Sequence, residues 1–505
     1  MNSLSATTLE LPTAGFARMA PEKAGAARPR HIGRINAVFI AAISAILVIP
    51  CFWHHRLQAG DLGSHIYNTW LVQLIHRGQA PGLWIAPQWN NVLFDFLLSG
   101  LAKFFSLDVS ARIAAAFAVL IFFWGSFAFI YAQTRRLPWH VSPLLAVVAY
   151  GWTLNRGFFN YYLSLGLAFF ALALFGALQG WKRLLVIAFV PIIFLAHPLG
   201  VAWLVAASCY IAVAELTRKR LHAFLVLAAI AVLAITYVYL GKHFRVEAPS
   251  HSVLFFNGLD QLLFTNRYAI LILIFCVIAA SAFANEVLRT RSVRNWLLLC
   301  AIPLELYLLV EAGIQLLPDS IYLPQYAAPV GALSERLTSI SAVLLCCLLG
   351  AIPPRRWQLC AFGAVAIAFF AFLYQDTGLL DRMEARVEAL IHTVPPGQRI
   401  LLTIAPPLNY RFSSKHILDI ACPGYCFAYG NYEAPTGQFR VRANPESPIV
   451  AADLRDAEAM EEGSYVVQSR VLPLFQIYQC GSTWTDLCIR PLQAGETIGS
   501  AVHRN

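Results

Sequence analysis

The feature that most constrains this chain is the distribution of its charges along the sequence. Long apolar stretches alternate with short polar segments that are rich in Lys and Arg. A membrane-spanning helix needs about 20 predominantly apolar residues to cross the hydrocarbon core. Only 13% of the residues are charged and 58% are hydrophobic, whereas soluble domains carry roughly 25% charged residues. The sequence therefore predicts an integral membrane protein that crosses the bilayer many times.

Eleven apolar segments are predicted as membrane spans. They are residues 35–53, 110–132, 140–154, 158–179, 184–196, 198–215, 222–240, 268–287, 295–316, 334–350 and 357–374. The third, fifth and sixth segments are short or closely spaced, so the count carries a margin of one or two. The polar tail before the first segment lacks the compact pattern of a cleaved signal peptide, and we therefore predict that the first span is retained.

The orientation of the spans follows from the positions of Lys and Arg, which accumulate in cytoplasmic loops. If the N-terminal tail is cytoplasmic, every alternate loop carries a basic cluster. The clusters are Arg135 and Arg136; Lys182 and Arg183; Arg218, Lys219 and Arg220; Arg289, Arg291 and Arg294; and Arg355 and Arg356. This pattern predicts a cytoplasmic N-terminus, an odd number of spans and an extracytoplasmic C-terminus. It also explains the net charge of +10 without a nucleic-acid partner.

The composition divides the chain into three regions. Residues 1–34 form a predicted cytoplasmic tail, and residues 35–375 form the transmembrane region, which includes a long outside loop at 54–109. Charges, Pro and Gly return in residues 376–505, where no apolar run of span length remains. We predict that this last region is a small extracytoplasmic α/β domain.

Periodic patterns support the α/β prediction for the C-terminal region. Residues 382–392 have the apolar spacing of a helix, and residues 399–404, 464–469 and 483–490 have strand-like patterns. Four cysteines in this region can form disulfides on an oxidising face, with three possible connectivities. They are Cys422, Cys426, Cys480 and Cys488. A zinc site is the less favoured alternative, because no second Cys or His pair has the required spacing.

The main candidate for catalysis is Asp61, near the start of the first outside loop. Apolar residues recur at helical spacing after it, which predicts a helix lying on the membrane surface, and residues 91–105 form a second amphipathic stretch. Asp61 either caps the first helix or acts as a general base toward an acceptor hydroxyl, and the two roles are compatible. His65 is four residues later and shares its helix face. His65 can orient Asp61, share its proton, join a metal site, or be an ordinary polar residue.

This layout resembles the GT-C superfamily of membrane glycosyltransferases, which use polyprenyl-phosphate-linked sugars as donors. Its members have a cytoplasmic N-terminus, a long first outside loop with an acidic residue near its start and two interfacial helices, and about ten further spans. The resemblance covers essentially the whole chain in architecture, and the acidic position corresponds to Asp61. The neighbouring position, acidic in many members, is Leu62 here, and neither an Asp-x-Asp pair in a later outside loop nor Trp-Trp-Asp-x-Gly is present. The chain is more similar to the mannosyl- and aminoarabinose-transferases.

The resemblance implies a mainly α polytopic enzyme of the cell envelope, in the inner or plasma membrane. It would transfer a sugar from a polyprenyl-phosphate donor to a lipid, glycan or protein acceptor on the extracytoplasmic face, with Asp61 as the base. No metal ligands are assigned, and a divalent metal remains an option.

A donor phosphate requires cations or helix N-termini at the outer surface. The predicted outside loops supply Arg156 and Arg267. The resemblance adds Arg336, because related proteins often place a basic residue near this position at the lipid phosphate. An Arg at this depth can equally reach toward the interface or pair with Glu335.

Three further residues are candidate substrate contacts. His197 lies at the predicted outer end of the fifth span, where an ionisable group is a functional candidate, although the following Pro198 also fits a structural turn. Glu311 lies near the outer end of the ninth span and could line a cavity. Tyr67 lies on the same predicted surface helix as His65.

Two other classes of function fit parts of the pattern. A transporter or flippase for lipid-linked sugars would have many spans, but it often shows internal repeats, and no clear repeat relates the two halves of this chain. A non-catalytic membrane assembly protein would use Asp61 only as a helix cap.

Overall fold

A computed structural model of the protein describes residues 30–248, 256–407 and 410–499. The chain divides into two units, residues 1–46 and 47–505. The first helix begins in the first unit, and all other helices and strands belong to the second. The predicted cytoplasmic tail lies almost entirely outside the described residues.

The fold is mainly helical. The helices are α1 Arg30–Val48, α2 Leu62–His76, α3 Leu93–Leu101, α4 Leu107–Thr134, α5 Ser142–Ala149, α6 Trp152–Arg156, α7 Phe159–Ala177, α8 Val190–Ala196, α9 Pro198–Leu216, α10 His222–His243, α11 Asn266–Thr290, α12 Val293–Leu299, α13 Ala301–Leu316, α14 Leu333–Gly350, α15 Arg356–Ile391, α16 Ile417–Ala421, α17 Glu433–Thr436 and α18 Leu454–Glu462. Both helices predicted in the first outside loop are present, as α2 and α3.

Seven helices in the described part of the chain are long and apolar enough to cross a membrane. They are α4, α7, α9, α10 with the 3-10 turn before it, α11, α14 and α15. The structure therefore does not support the predicted count of eleven spans. The first, third, fifth and ninth predicted segments form shorter or interrupted helices instead.

The third predicted span shows why such a segment breaks. It divides into α5 and α6 at Tyr150 and Gly151. The buried Asn155 side chain donates hydrogen bonds to the carbonyl groups of Tyr150, at 2.8 Å, and Gly151, at 3.2 Å. A helix can be interrupted at membrane depth when protein groups satisfy the freed backbone atoms in this way. Hydropathy alone does not reveal such a break.

Eight short strands form three sheets. They are β1 Leu83–Ile85, β2 Arg245–Glu247, β3 Ser320–Tyr322, β4 Arg399–Thr403, β5 Phe427–Ala428, β6 Val441–Ala443, β7 Leu474–Gln479 and β8 Leu487–Pro491. The largest sheet has the order β5-β4-β7-β8, with β4 parallel to β5 and β7, and β8 antiparallel to β7. Helices and this sheet together confirm an α/β arrangement in the C-terminal region.

The individual strand predictions were accurate for one strand of the main sheet. The pattern at 399–404 corresponds to β4, and only the end of the pattern at 483–490 belongs to β8. The prediction at 464–469 was wrong, because this segment forms only an isolated bridge from Val466 to Thr497. Strand β7 was missed because its central residue is polar. Gln476 is fully buried and donates to Thr403 Oγ1 over 2.6 Å.

The first loop and the C-terminal region are joined directly. Strands β1 and β6 pair antiparallel, with Leu83 opposite Ala443 and Ile85 opposite Val441. Helix α15 also continues through the predicted boundary at residue 375 without a break. These connections hold the C-terminal region against the first loop and join it to helix α15.

Two disulfides are present in the C-terminal region. Cys422 pairs with Cys426, and Cys480 pairs with Cys488. This selects one of the three connectivities that the sequence left open. The first disulfide lies immediately after α16, and both of its cysteines are buried. It joins residues 422 and 426 into a short covalent loop at the end of that helix.

Candidate functional site

Asp61 occupies the position before the first residue of α2, but its side chain makes no capping hydrogen bond. The cap interpretation of the carboxylate was therefore wrong. The Asp61 backbone N–H donates to the carbonyl of Arg156 over 3.0 Å. A Cβ on Gly157 would lie 2.3 Å from this nitrogen, and Gly157 has φ of +93°, so a glycine is required for the approach. The carboxylate is left to interact with other groups.

The partner of the Asp61 carboxylate is His416, which sequence patterns alone do not single out. His416 Nε2 lies 3.4 Å from Asp61 Oδ1, and His416 Nδ1 lies 2.7 Å from Asp419 Oδ2. Asp419 is in α16, one turn after His416. The imidazole ring thus lies between two carboxylates, one from the first loop and one from the C-terminal region.

A glycine in α2 brings these two regions together. A Cβ on Gly63 would lie 2.2 Å from the backbone oxygen of His416 and 2.9 Å from Ile420 Cγ1. No side chain fits at this distance, so α16 can approach α2 only because residue 63 is a glycine. This contact holds His416 against Asp61.

The protonation states of the pair follow from its surroundings. Burial opposes ionisation of Asp61, but the contact with His416 and the positive charges of His416 and Arg156 lower the pKa of Asp61 below its ordinary value. Burial also opposes protonation of His416, but Asp419 and Asp61 raise its pKa to about 9. At neutral pH the carboxylate is therefore ionised and the imidazole is protonated.

His65 is bonded to a different carboxylate. Its Nδ1 lies 2.9 Å from Asp95 Oδ1, and Asp95 Oδ2 accepts a hydrogen bond from Asn160 Nδ2 over 3.0 Å. Burial disfavours the charged imidazole, but Asp95 outweighs it and raises the pKa of His65 to about 9. The prediction that His65 orients Asp61 is not supported, because Asp95 takes that contact. His65 is a second buried imidazolium group.

A buried polar network connects these residues across α2. Ser64 Oγ donates to Glu433 Oε1 over 2.9 Å, and Asn431 Nδ2 donates to Ser64 Oγ over 3.1 Å and to Asp419 Oδ2 over 3.3 Å. All four residues are buried. Burial is the main cause that raises the pKa of Glu433 to about 7. The network shows that α2 is enclosed by protein, whereas the sequence predicted a helix on the membrane surface.

Five of the eight residues selected from the sequence border one cavity. The cavity has a volume of about 620 Å³, and these residues are Asp61, His65, Arg156, His197 and Arg336. This volume lies within the usual range of about 300–1,000 Å³ for ligand sites. Residues from the first loop, the helices and the C-terminal region meet around this cavity.

Arg156 and Arg336 are the two arginines that face the cavity. The Arg336 guanidinium lies over the Phe158 ring, 4.3 Å from its centroid. Among the described residues, the Arg336 Nε is buried and has no hydrogen-bond partner. A buried guanidinium nitrogen without a hydrogen-bond acceptor is costly unless a ligand or water supplies one. The cavity therefore favours an anion.

His197 borders the cavity but also has a structural role. Its Nδ1 accepts a hydrogen bond from the Leu199 N–H over 3.2 Å, and it caps α9. An accepting Nδ1 places the ring proton on Nε2 in the neutral imidazole. The turn that the sequence suggested at Pro198 is therefore present, and His197 is the residue that stabilises it.

The other three residues selected from the sequence lie away from this cavity. Arg267 forms an ion pair with Asp376 at 2.7 Å. Glu311 accepts a hydrogen bond from Ser341 Oγ over 2.6 Å. The Tyr67 hydroxyl is buried and accepts from the Ala428 N–H over 3.0 Å, which ties α2 to β5. Each of these side chains has a partner within the protein, so the structure does not support a substrate contact for them.

A second, smaller cavity lies on the other side of His416. It has a volume of about 390 Å³ and is bordered by Asp419, Trp152 and Arg411 among others. His416 borders both cavities, together with Arg156, Lys415, Tyr432 and Glu461. The Asp61–His416–Asp419 chain therefore runs from one cavity to the other.

Among the described residues, no group of three or more His, Cys, Asp or Glu side chains is arranged to hold a metal ion.

Comparison with known proteins does not identify a family for this chain. No family model, no curated protein and no solved structure matches it.

The two imidazolium groups predict how stability changes with pH. A histidine with an ordinary pKa near 6.5 in the unfolded chain and a pKa of about 9 in the fold stabilises the folded state fully below about pH 6.5. That stabilisation declines as the pH rises and is lost above about pH 9. The apparent melting temperature should therefore fall between pH 6.5 and 9, as measured by fluorescence in detergent. A constant melting temperature over this range would contradict the assignment of two charged imidazoles.

Proposed function

We propose that this protein is an integral membrane glycosyltransferase of the GT-C type. It transfers one sugar from a polyprenyl-phosphate donor to an acceptor on the extracytoplasmic face of the membrane. The observation that carries the proposal is that Asp61, Arg156 and Arg336 border one cavity. These are the three groups that such a reaction needs: an ionised carboxylate for the acceptor, and two cations for the donor phosphate.

The two arginines support binding of the donor phosphate. Guanidinium groups bind phosphate through paired, charge-assisted hydrogen bonds, and the buried Arg336 Nε has no hydrogen-bond partner among the described residues. Their charges also stabilise the leaving phosphate, on which negative charge develops as the bond to the sugar breaks. The Phe158 ring contacts the Arg336 guanidinium, with 4.3 Å from Cζ to the ring centroid, and this cation–π contact stabilises the group at the cavity.

Asp61 supports the role of a base in this reaction. The acceptor hydroxyl oxygen attacks the anomeric carbon of the sugar, and its proton passes to the Asp61 carboxylate. The bond between the anomeric carbon and the phosphate oxygen breaks, and its electron pair leaves with the polyprenyl phosphate. His416 positions the carboxylate for this step and keeps it ionised. Attack from the side opposite the phosphate inverts the anomeric centre.

The fold is consistent with the membrane arrangement in the proposal. Seven apolar helices are available to cross the bilayer. The proposal takes its topology from the basic clusters, which favour a cytoplasmic N-terminus, and keeps residues 35–53 as the first span. In that topology the first loop, the start of α14 and the C-terminal region all face the extracytoplasmic side. The cavity that they enclose is then accessible to an acceptor outside the cell and to a donor in the outer leaflet.

Binding and transfer measurements test the proposal together. The protein is reconstituted in vesicles with a panel of polyprenyl-phosphate hexoses and pentoses, and formation of free polyprenyl phosphate is followed. Separately, farnesyl phosphate is titrated as a soluble probe of the phosphate site. Replacing Arg156 and Arg336 together by Gln should weaken probe binding by at least about tenfold, since each hydrogen bond to a charged group is worth about 1.5–3 kcal/mol.

Arg442→Gln is the matched control for the arginine variants. Arg442 donates to Gln88 Oε1 over 3.2 Å and lies outside both cavities, so its replacement should leave probe binding unchanged. Movement of intact lipid-linked sugar across the vesicle membrane, without formation of polyprenyl phosphate, would contradict transfer and indicate a flippase.

A further inference from the structure

The orientation of His65 in the larger cavity leaves one of its ring nitrogens without a partner. Its Nδ1 is bonded to Asp95, and in the described structure no hydrogen bond of Nε2 is found. The side chain is only 7% exposed, yet it borders the cavity that also contains Arg156 and Arg336. A protonated imidazole held in this way presents its Nε2–H to the cavity as a hydrogen-bond donor.

We propose that His65 is the third cation of the donor phosphate site and donates its Nε2–H to an oxygen of the polyprenyl phosphate. This inference rests on the proposed function and adds a residue and a charge state to it. It differs from the four alternatives that the sequence left open for His65, none of which involves the phosphate. Asp95 is then a positioning residue, because it fixes the ring through Nδ1 and does not touch the substrate.

The contacts of Asp95 explain why the ring is held firmly. Asn160 donates to Asp95 Oδ2 over 3.0 Å and to the Asn91 carbonyl over 3.0 Å, and its own carbonyl oxygen accepts from the Phe94 N–H over 2.7 Å. The Phe94 ring also packs edge-on against His65, with 5.3 Å between centroids. Residues of α3 and α7 therefore restrain the imidazole through Nδ1 and through its ring face.

The role of His65 is a charged hydrogen bond and not proton donation. The second pKa of a phosphate monoester is about 6, whereas the pKa of His65 is about 9. Transfer of the His65 proton to the leaving phosphate would therefore be unfavourable by about three pKa units. The imidazolium keeps its proton and stabilises the charge that develops on the phosphate.

The protonation of His65 makes the phosphate site sensitive to alkaline pH. Several charged groups face His65 or border the same cavity. Asp95, its ion-pair partner, raises its pKa, and so do Glu433 and Asp61. The other charged groups that border the cavity are Arg156, Arg336, Lys415, His416 and Glu461. Because His416 has a similar pKa, the test must separate the two imidazoles.

The experiment measures farnesyl phosphate affinity between pH 7 and 10 for the full-length protein in detergent. The probe is a dianion throughout this range, so changes in affinity report on the protein. The wild-type protein should lose about tenfold in affinity over this range as a group with a pKa near 9 becomes neutral. His65→Gln should bind more weakly at pH 7 and show no such decline.

Two variants identify which imidazole is responsible. His416→Gln should retain the decline with pH, because His65 is intact. Asp95→Asn should move the decline to lower pH, since the imidazolium loses its ion-pair partner. A decline that persists in His65→Gln but disappears in His416→Gln would overturn the proposal for His65.

Failure of this inference is distinguishable from failure of the proposed function. Affinity that depends on Arg156 and Arg336 but not on pH would overturn only the role of His65. Absence of probe binding at every pH would overturn the donor site itself. His54→Gln provides a matched control, because His54 Nε2–H donates to the Tyr374 carbonyl over 2.9 Å and His54 borders neither cavity.

Discussion

Replacing Asp61 by Asn should lower the rate of sugar transfer by about 10²- to 10⁴-fold, the usual contribution of a positioned base. Asn has the same shape as Asp but cannot accept the proton of the acceptor hydroxyl. The backbone contact of Asp61 with Arg156 involves the main chain and is retained in the variant. The measurement is the initial rate of polyprenyl phosphate formation at saturating donor.

The donor affinity of the Asp61→Asn variant separates a chemical role from a structural one. Removing a negative charge near the phosphate site should leave farnesyl phosphate affinity unchanged or slightly higher, because repulsion is reduced. Asp108→Asn is the control. Asp108 pairs with Arg112 at 2.8 Å and borders neither cavity. A normal transfer rate in Asp61→Asn would eliminate the carboxylate as the base, whereas absence of transfer by the wild-type protein itself would favour a non-catalytic membrane protein.

The parts of the site that sequence analysis found are those with a local signal. Asp61 follows a predicted span and precedes a helical pattern, so its position at the start of the first loop was evident. Arg336 was found through a family resemblance and Arg156 through its place in a predicted outside loop. Each of these inferences needs only the residue, its neighbours and the topology.

The missed residues depend on contacts between distant segments. His416 and Asp419 have no apolar periodicity or motif that marks them, and they become functional candidates only because α16 packs on α2. This packing depends on the close contact at Gly63. In the sequence, Gly63 does not differ from any other glycine within a helix. Asp95 was similarly overlooked, because nothing in the sequence shows that α3 turns it toward His65.

The span prediction was inaccurate for a related reason. Hydropathy measures the apolar character of a segment, but it does not show whether the segment is a continuous helix. Asn155 satisfies the carbonyl groups at the break between α5 and α6, and one sequence does not reveal that bond. The break also produces α6, whose last residue is Arg156. The same irregularity that reduced the span count therefore places a cation in the site.

Replacing Gly63 by Ala should separate the two halves of the site without changing any charged residue. The added Cβ would lie 2.2 Å from the His416 backbone oxygen, so α16 must move away from α2. Overpacking of this kind typically costs about 1–3 kcal/mol, and the apparent melting temperature should fall accordingly. The transfer rate should also fall, because His416 would no longer hold Asp61 in its ionised, oriented state.

Gly100→Ala distinguishes this effect from a general response to a larger residue in a helix. Gly100 lies in α3, and a Cβ there would meet nothing within 4 Å. Because Ala favours a helix by about 1 kcal/mol relative to Gly, this control should be as stable as the wild type or slightly more so. If Gly63→Ala also retained its stability and its rate, α16 could not be held by this contact. Should it lose stability but transfer sugar normally, His416 would not be needed to position Asp61, and the base would act without the C-terminal region.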